Sequence, residues 1–283
     1  MSSVSPLSSI SKNVRQRVTP EEWEVRVKLA AAYRLAALFK WTDHIYTHFS
    51  ARVPGPDEHF LINAFGLLFD EISASNLVKV DIDGSIVDDP TGLGINPAGY
   101  VIHSAIHAAR PDLQAVLHTH TRDGIAVSAQ RDGLLPISQH SIGFSGRVAY
   151  HGYEGVALDL DERERLVADL GNKSVLILRN HGLLTAGVSV EHAFQQLHGL
   201  ERACNIQIAA QAAIFVVMKS GSGDFFRRLP FTFGHQFAGQ RDQAFAVVDG
   251  VFKRVEAADE EGGDAQVVVV EQRFGHLFRR ADQ

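Results

Sequence analysis

A single cysteine, Cys204, stands among 283 residues, so no disulfide can form within the chain. That scarcity fits a reducing compartment. Basic charge is not in surplus either. A formal net charge of −6 and a pI near 6.1 leave no electrostatic footprint for nucleic acid or an anionic membrane. No uninterrupted apolar run approaches the roughly 20 residues that a membrane span needs. The N-terminal MSSVSPLSSISKNVRQRV lacks the apolar stretch of a signal peptide and reads as a flexible arm over residues 1–18. No internal repeat is visible. Together these absences point to a cytoplasmic protein.

What is present suits a large buried core. Hydrophobic residues make up 45% of the chain, enough for one domain with extensions or for two small domains. Thr19-Pro20-Glu21-Glu22 reads as a capping box with proline at the first helical position, opening a helix to about Phe39. Strand-like segments follow at 59–64 and 76–82, with Gly66 between them and the turn Asp83-Gly84 after them. Asn96-Pro97 opens a second helix that Pro111-Asp112 stops. QAVLHTH (114–120) predicts a strand. SVLILRN (174–180) predicts another, apolar enough to be covered on both faces. A long helix follows from near Glu191 to about Phe215. This mix implies an α/β sandwich of layers over residues 19–218. Beyond it, residues 219–283 form an extension in which GSGDFFRR and EEGGD read as linkers, and AFAVV and QVVVVE read as strands that need pairing.

Chemistry gathers at two places. In a strand, residues two apart share a face at about 7 Å between Cα atoms, so His118 and His120 can converge on one ion. In the second, an apolar strand ends at Asn180-His181-Gly182, where a permissive glycine lets a histidine project into a cleft and leaves room for a ligand. Three histidines with an open position form a recognised catalytic zinc arrangement. The opposing reading is chance, since the chain has 14 histidines. Spacing alone leaves both readings standing.

The blocks HFLINAFGLLFDEISASNLVKVDIDG (59–84), GINPAGYVIHSAIHAARPDLQAVLHTH (94–120), GLLPIS (133–138) and VLILRNHGLLTAGVSVEHAF (175–194) resemble the class II aldolase/adducin domain family. The resemblance runs from about Glu21 to Ala213 and is closest to the adducin-like branch. It implies a three-layer α/β/α fold with a central, mainly antiparallel or mixed sheet. It implies a ring-like homotetramer with active sites between subunits. It also implies that His118, His120 and His181 hold a divalent metal, zinc first, with manganese or cobalt as alternatives.

The departures from the family are as telling. Its sugar-phosphate aldolases carry Ser-Ser-Glu where this chain has Pro97, Ala98 and Gly99, so the phosphate-holding serines and the acid/base glutamate are missing. Their Gly-Asn phosphate contact aligns with Thr47-His48. A phosphorylated aldol substrate is therefore not expected. His140 aligns with a tyrosine that the aldolases supply from a neighbouring subunit as proton donor, a task histidine can perform near pH 7; otherwise it is a plain loop residue. His48 is a candidate contact for a substrate carboxylate or phenolate. His103, four residues after Gly99, is either a second-layer partner of a ligand histidine or a packed core residue. Asp70 and Glu71 read as solvated loop carboxylates, and Tyr100 as a packed residue.

Two functions follow. One is a metal-dependent lyase of the decarboxylase or aldolase type, acting on a small unphosphorylated carbonyl or carboxylate compound. The other is a non-catalytic, adducin-like oligomeric module working through protein contacts, in adducins those with actin and spectrin. Adducin heads have largely lost the three histidines and carry a basic tail. This chain keeps all three, and its end mixes EAADEEGGD with RFGHLFRRADQ.

Overall fold

A computed structural model describes residues 14–155, 162–213, 244–248, 251–255 and 267–268. The first helix, α1 (Pro20–Leu38), starts where the sequence predicts: the Thr19 hydroxyl accepts the Glu22 N–H at 3.1 Å. The Glu22 carboxylate turns inward, to Arg26 Nε at 2.9 Å and Lys79 Nζ at 2.8 Å, which pairs the fully buried Arg26. The helix ends in a left-handed residue, Lys40 (φ 61°). The Lys40 N–H bonds Ala37 O and the Trp41 N–H bonds Ala36 O, the double cap usually built around glycine.

Eight strands follow: β1 (Phe49–Arg52), β2 (His59–Ile62), β3 (Val78–Asp81), β4 (Ile86–Asp88), β5 (Ala115–Thr119), β6 (Val148–His151), β7 (Val175–Leu178) and β8 (Gly182–Gly187). They form one sheet in the order β4-β3-β2-β1-β5-β8-β7-β6, antiparallel throughout except for β6 beside β7. The intervening helices are α2 (Pro97–Ala109), α3 (Arg122–Ser128), α4 (Gln139–Ile142), α5 (Glu162–Leu170) and α6 (Val190–Ala213). The α/β fold with a mixed, mainly antiparallel sheet is as expected.

Strand alternation divides the core. Leu117, Ile177 and Leu183 pack with Leu29, Tyr33, Leu197 and Leu200 of α1 and α6 on one face. Val116, Leu176, Leu178 and Leu184 pack with Ile102, Ile106, Leu166 and Leu170 of α2 and α5 on the other. Tyr33 also pins the start of β1: its hydroxyl donates to Phe49 O at 2.6 Å and accepts the Phe49 N–H at 2.7 Å.

Two expectations are refined. The run at 174–180 is a strand only to Leu178; residues 179–181 then turn the chain into β8, a strand that the sequence reading did not include. The arm expected to be flexible to residue 18 is held at its end, where Val14 is buried and Arg17 pairs with Asp88 at 2.8 Å. Residues 1–13 lie outside the described residues, as do GSGDFFRR and EEGGD.

The chain divides into two compact units, one up to Ile208 and one from Ala209. The described strands of the second are β9 (Ala244–Val248), β10 (Val251–Val255) and β11 (Val267–Val268), paired antiparallel in the order β11-β10-β9. AFAVV thus has the partner it was expected to need, and of QVVVVE only Val267 and Val268 are described. Among the described residues no helix is long and apolar enough to cross a membrane.

Candidate metal centre

β5 and the turn before β8 bring the three predicted histidines together. Their rings form a nearly equilateral triangle: centroids are 4.6 Å apart for His118–His120, 4.8 Å for His118–His181 and 4.7 Å for His120–His181. One ring nitrogen from each lies within 4.8 Å of the other two. His118 projects from the α2 face of β5, and His120 follows just beyond the strand end.

Hydrogen bonds decide which nitrogens face inward. His118 Nδ1 lies 2.9 Å from the Leu183 carbonyl, and His120 Nδ1 lies 3.0 Å from Asp43 Oδ2. A carbonyl and a carboxylate only accept, so both Nδ1 atoms carry protons and both Nε2 atoms present lone pairs. Those two Nε2 atoms face each other at 2.9 Å. Two acceptors at that separation repel unless a cation or a proton lies between them. A proton is a poor bridge here. Burial holds the His118 pKa well below its ordinary value, and burial lowers that of His120 against the opposing pull of Asp43. Burial also pushes His181 down to about 4, helped by His120 and His151. Three neutral imidazoles, two of them oriented by acceptors behind them, fit a divalent metal ion.

The backbone is bent to serve this arrangement. Asn180, just before His181, sits in the left-handed region (φ 55°), which asparagine tolerates. Gly182 is required for a different reason than the open space for a ligand expected from sequence. A Cβ there would lie 2.3 Å from Thr119 O, 3.1 Å from the His120 ring and 3.3 Å from the His118 ring. Thr47 is left-handed at φ 69°, a true outlier for a β-branched residue, and it delivers His48 into the interior.

His48 is buried. A Cβ on Gly99 would lie 2.5 Å from its Nδ1, so the imidazole stands in space that any side chain at 99 would need. Burial pushes its pKa down to about 3, with His120 adding to the effect. Among the described residues its Nε2 has no hydrogen-bond partner. His103 meets His48 edge-on at 6.2 Å and bonds Ser50 Oγ at 2.7 Å. It does not bond a ligand histidine, because Leu183 and Asp43 hold those positions. Ser50 Oγ also reaches His107 Nε2 at 2.8 Å.

His140 lies exposed on α4, with no hydrogen bond or ring contact to the three histidines among the described residues. Tyr153, half of it exposed, lies edge-on to His181 at 6.5 Å. Asp43 was missed by sequence reasoning. It is far from His120 in the chain, and nothing distinguishes it from a solvated loop carboxylate until β1 folds beside β5.

Fold and site define an α/β protein with a cluster of three histidines that could hold a metal ion, placed at one end of a mixed sheet. Residues 27–208 match the class II aldolase and adducin N-terminal domain, and the chain belongs to that family. An aldolase II superfamily protein from Pseudomonas syringae is 90% identical, with a TM-score of 0.70 over 71% of this chain and 81% of that one. An L-fuculose 1-phosphate aldolase from Glaciozyma antarctica is 31% identical, with a TM-score of 0.63 over 75% of this chain and 79% of that one. Rat alpha-adducin is 53% identical over 191 residues, which are 67% of this chain and 26% of that protein.

Proposed function

We propose that the chain is a metal-dependent carbon–carbon lyase acting on a small unphosphorylated carbonyl or carboxylate compound. The observation that carries this is the pair of facing Nε2 lone pairs on His118 and His120, each fixed by an acceptor behind its ring. Such an arrangement costs free energy without a cation, and it is hard to explain in a chain that no longer uses one. His118, His120 and His181 would hold the ion. Zinc suits three imidazoles best, with manganese or cobalt as alternatives. A divalent ion there supplies Lewis-acid polarisation of a carbonyl.

The rest of the site argues for decarboxylation over aldol cleavage. Aldol cleavage needs a base to take the hydroxyl proton. No carboxylate stands at position 99, where His48 fills the space, and burial pushes the His48 pKa down to about 3, which makes it a weak base. Loss of carbon dioxide from a 3-oxo acid needs no base: the carbon–carbon electron pair passes to the carbonyl, and one proton is then delivered to carbon. His140 of a neighbouring copy in a homotetramer is the proposed donor, consistent with its exposure here. His48, with a free buried nitrogen, is the proposed contact for the substrate carboxylate or phenolate. We place the protein in the cytoplasm and assign residues 19–218 to the catalytic domain.

A second reading has its own support. The identity to alpha-adducin favours an oligomeric module working by protein contacts. Metal content separates the two, because the module needs none. Screening 3-oxo acids and dihydroxy-aromatic acids for carbon dioxide release tests the lyase directly. No cleavage of fuculose 1-phosphate is expected, and measurable cleavage would overturn the proposed substrate class.

A further inference from the structure

Thr119 ends β5 between His118 and His120, so its side chain leaves the strand on the face opposite His118. There its hydroxyl donates to Glu201 Oε1 at 2.6 Å, and Thr121 donates to Oε2 at 2.7 Å. Glu201 is 5% exposed, and burial raises its pKa to about 7. Beside it opens a cavity of about 380 Å³, within the range of small-molecule sites. None of the three metal-binding histidines lines it.

The walls have a definite chemistry. Phe39, Trp41 and His198 form one side, with Phe39–Trp41 centroids 4.9 Å apart and His198 5.4 Å from Phe39. Lys40, Arg122 and Arg202 supply three cations. The carboxylates present are already engaged. Glu201 accepts from two threonines, and Asp123 accepts from Arg122 Nε and Asn205 Nδ2. Lys40 and Arg202 form no ion pair among the described residues, although the whole chain carries net charge −6. Lys40 also occupies the left-handed helix-end position where glycine is the favoured residue, a backbone conformation unfavourable for lysine. A cationic ligand would meet the two unpaired like charges of Lys40 and Arg202 at this mouth.

We infer that this cavity is a second binding site, separate from the metal centre, for a small anion with a planar apolar body. An aromatic carboxylate fits: its charge between Lys40 and Arg202, its ring against Phe39 and Trp41. The hydroxyls of Thr119 and Thr121 join Glu201 in this cavity to the end of β5, next to His118 and His120 in the chain.

The test uses the full chain with Trp23→Phe, which leaves Trp41 as the only tryptophan. Benzoate is the probe and benzylamine its cationic counterpart, followed by Trp41 fluorescence and calorimetry. Benzoate is expected to bind saturably and at least tenfold more tightly than benzylamine. Arg202→Ala should weaken it at least tenfold. Lys40→Gly should do the same while raising the melting temperature, so the loss cannot come from unfolding. His118→Ala/His120→Ala should leave benzoate affinity unchanged. The inference is overturned if benzoate gives no saturable signal, if benzylamine binds as well, or if the histidine variant abolishes the benzoate signal. It is also overturned if Arg202→Glu changes the number of subunits while benzoate fails to bind, which would make the cavity an interface between copies.

Discussion

The imidazole of His48 occupies the volume that a side chain on Gly99 would fill, with the ring 2.5 Å from where a Cβ would stand. The two positions are therefore one interlocked choice. Gly99→Ala should force the ring out of place and destabilise the fold by about 1–3 kcal/mol. In the double variant Gly99→Ala/His48→Ala much of that loss should return. Urea unfolding of the four proteins in the cycle measures the coupling, and purely additive losses would refute the interlock.

Asp43 fixes the tautomer of His120 from behind. Asp43→Asn keeps the shape and removes the charge, and should lower zinc affinity about 10–100-fold. Competition against a chromophoric chelator reads this directly. Unchanged affinity would mean the Leu183 contact and the ring packing alone orient the site.

Tyr33 serves the site at one remove, since Phe49 follows His48 in the chain and bonds its hydroxyl through both N–H and C=O. Tyr33→Phe leaves two buried backbone groups short of a partner and should cost about 1–3 kcal/mol. Chemical denaturation tests it, and a loss under about 0.5 kcal/mol would contradict the pinning role.

Acid should unfold the protein early. Burial pushes His107 to about 3, as it does His48, so both are neutral in the folded state. The unfolded chain takes up protons below the ordinary histidine value near 6.5, and so binds more protons than the fold. Stability must therefore fall as pH drops from about 6.5 toward 3, by up to about 1.4 kcal/mol per pH unit for each such group. Glu201 has the opposite sign. Its carboxyl is raised to about 7, so stability declines as pH rises from the ordinary carboxylate range through 7. Unfolding midpoints at pH 5 and 7.5 should show His107→Gln flattening the acid slope. Glu201→Gln should gain most on the alkaline side.

Much of this was legible from residue order, and what was not has physical causes. Helix starts were readable because Thr19-Pro20 and Asn96-Pro97 act through local hydrogen bonds and fixed φ. The histidine pair was readable because strand alternation is a local rule. The hairpin at 179–181 was not, because its turn is closed by Asn180 in an unusual conformation that residue type alone does not announce. β1 was not legible, since Ser50 and Arg52 break the apolar pattern of a four-residue strand. Gly99 was legible only as a missing glutamate; that it houses His48 depends on β1 and α2 meeting across the sheet face. Asp43, the Leu183 carbonyl and the Glu201 cavity all join residues distant in the chain, and no local signal marks them.

The account turns on whether the facing nitrogens of His118 and His120 exist to share an ion. Metal analysis of the purified full-length protein, beside His118→Ala/His120→Ala, tests this most directly. About one divalent ion per chain in the wild type, lost in the variant, is the predicted result. A metal-free wild type that also fails to take up added zinc, manganese or cobalt would contradict the metal centre and leave the assembly module as the reading that stands.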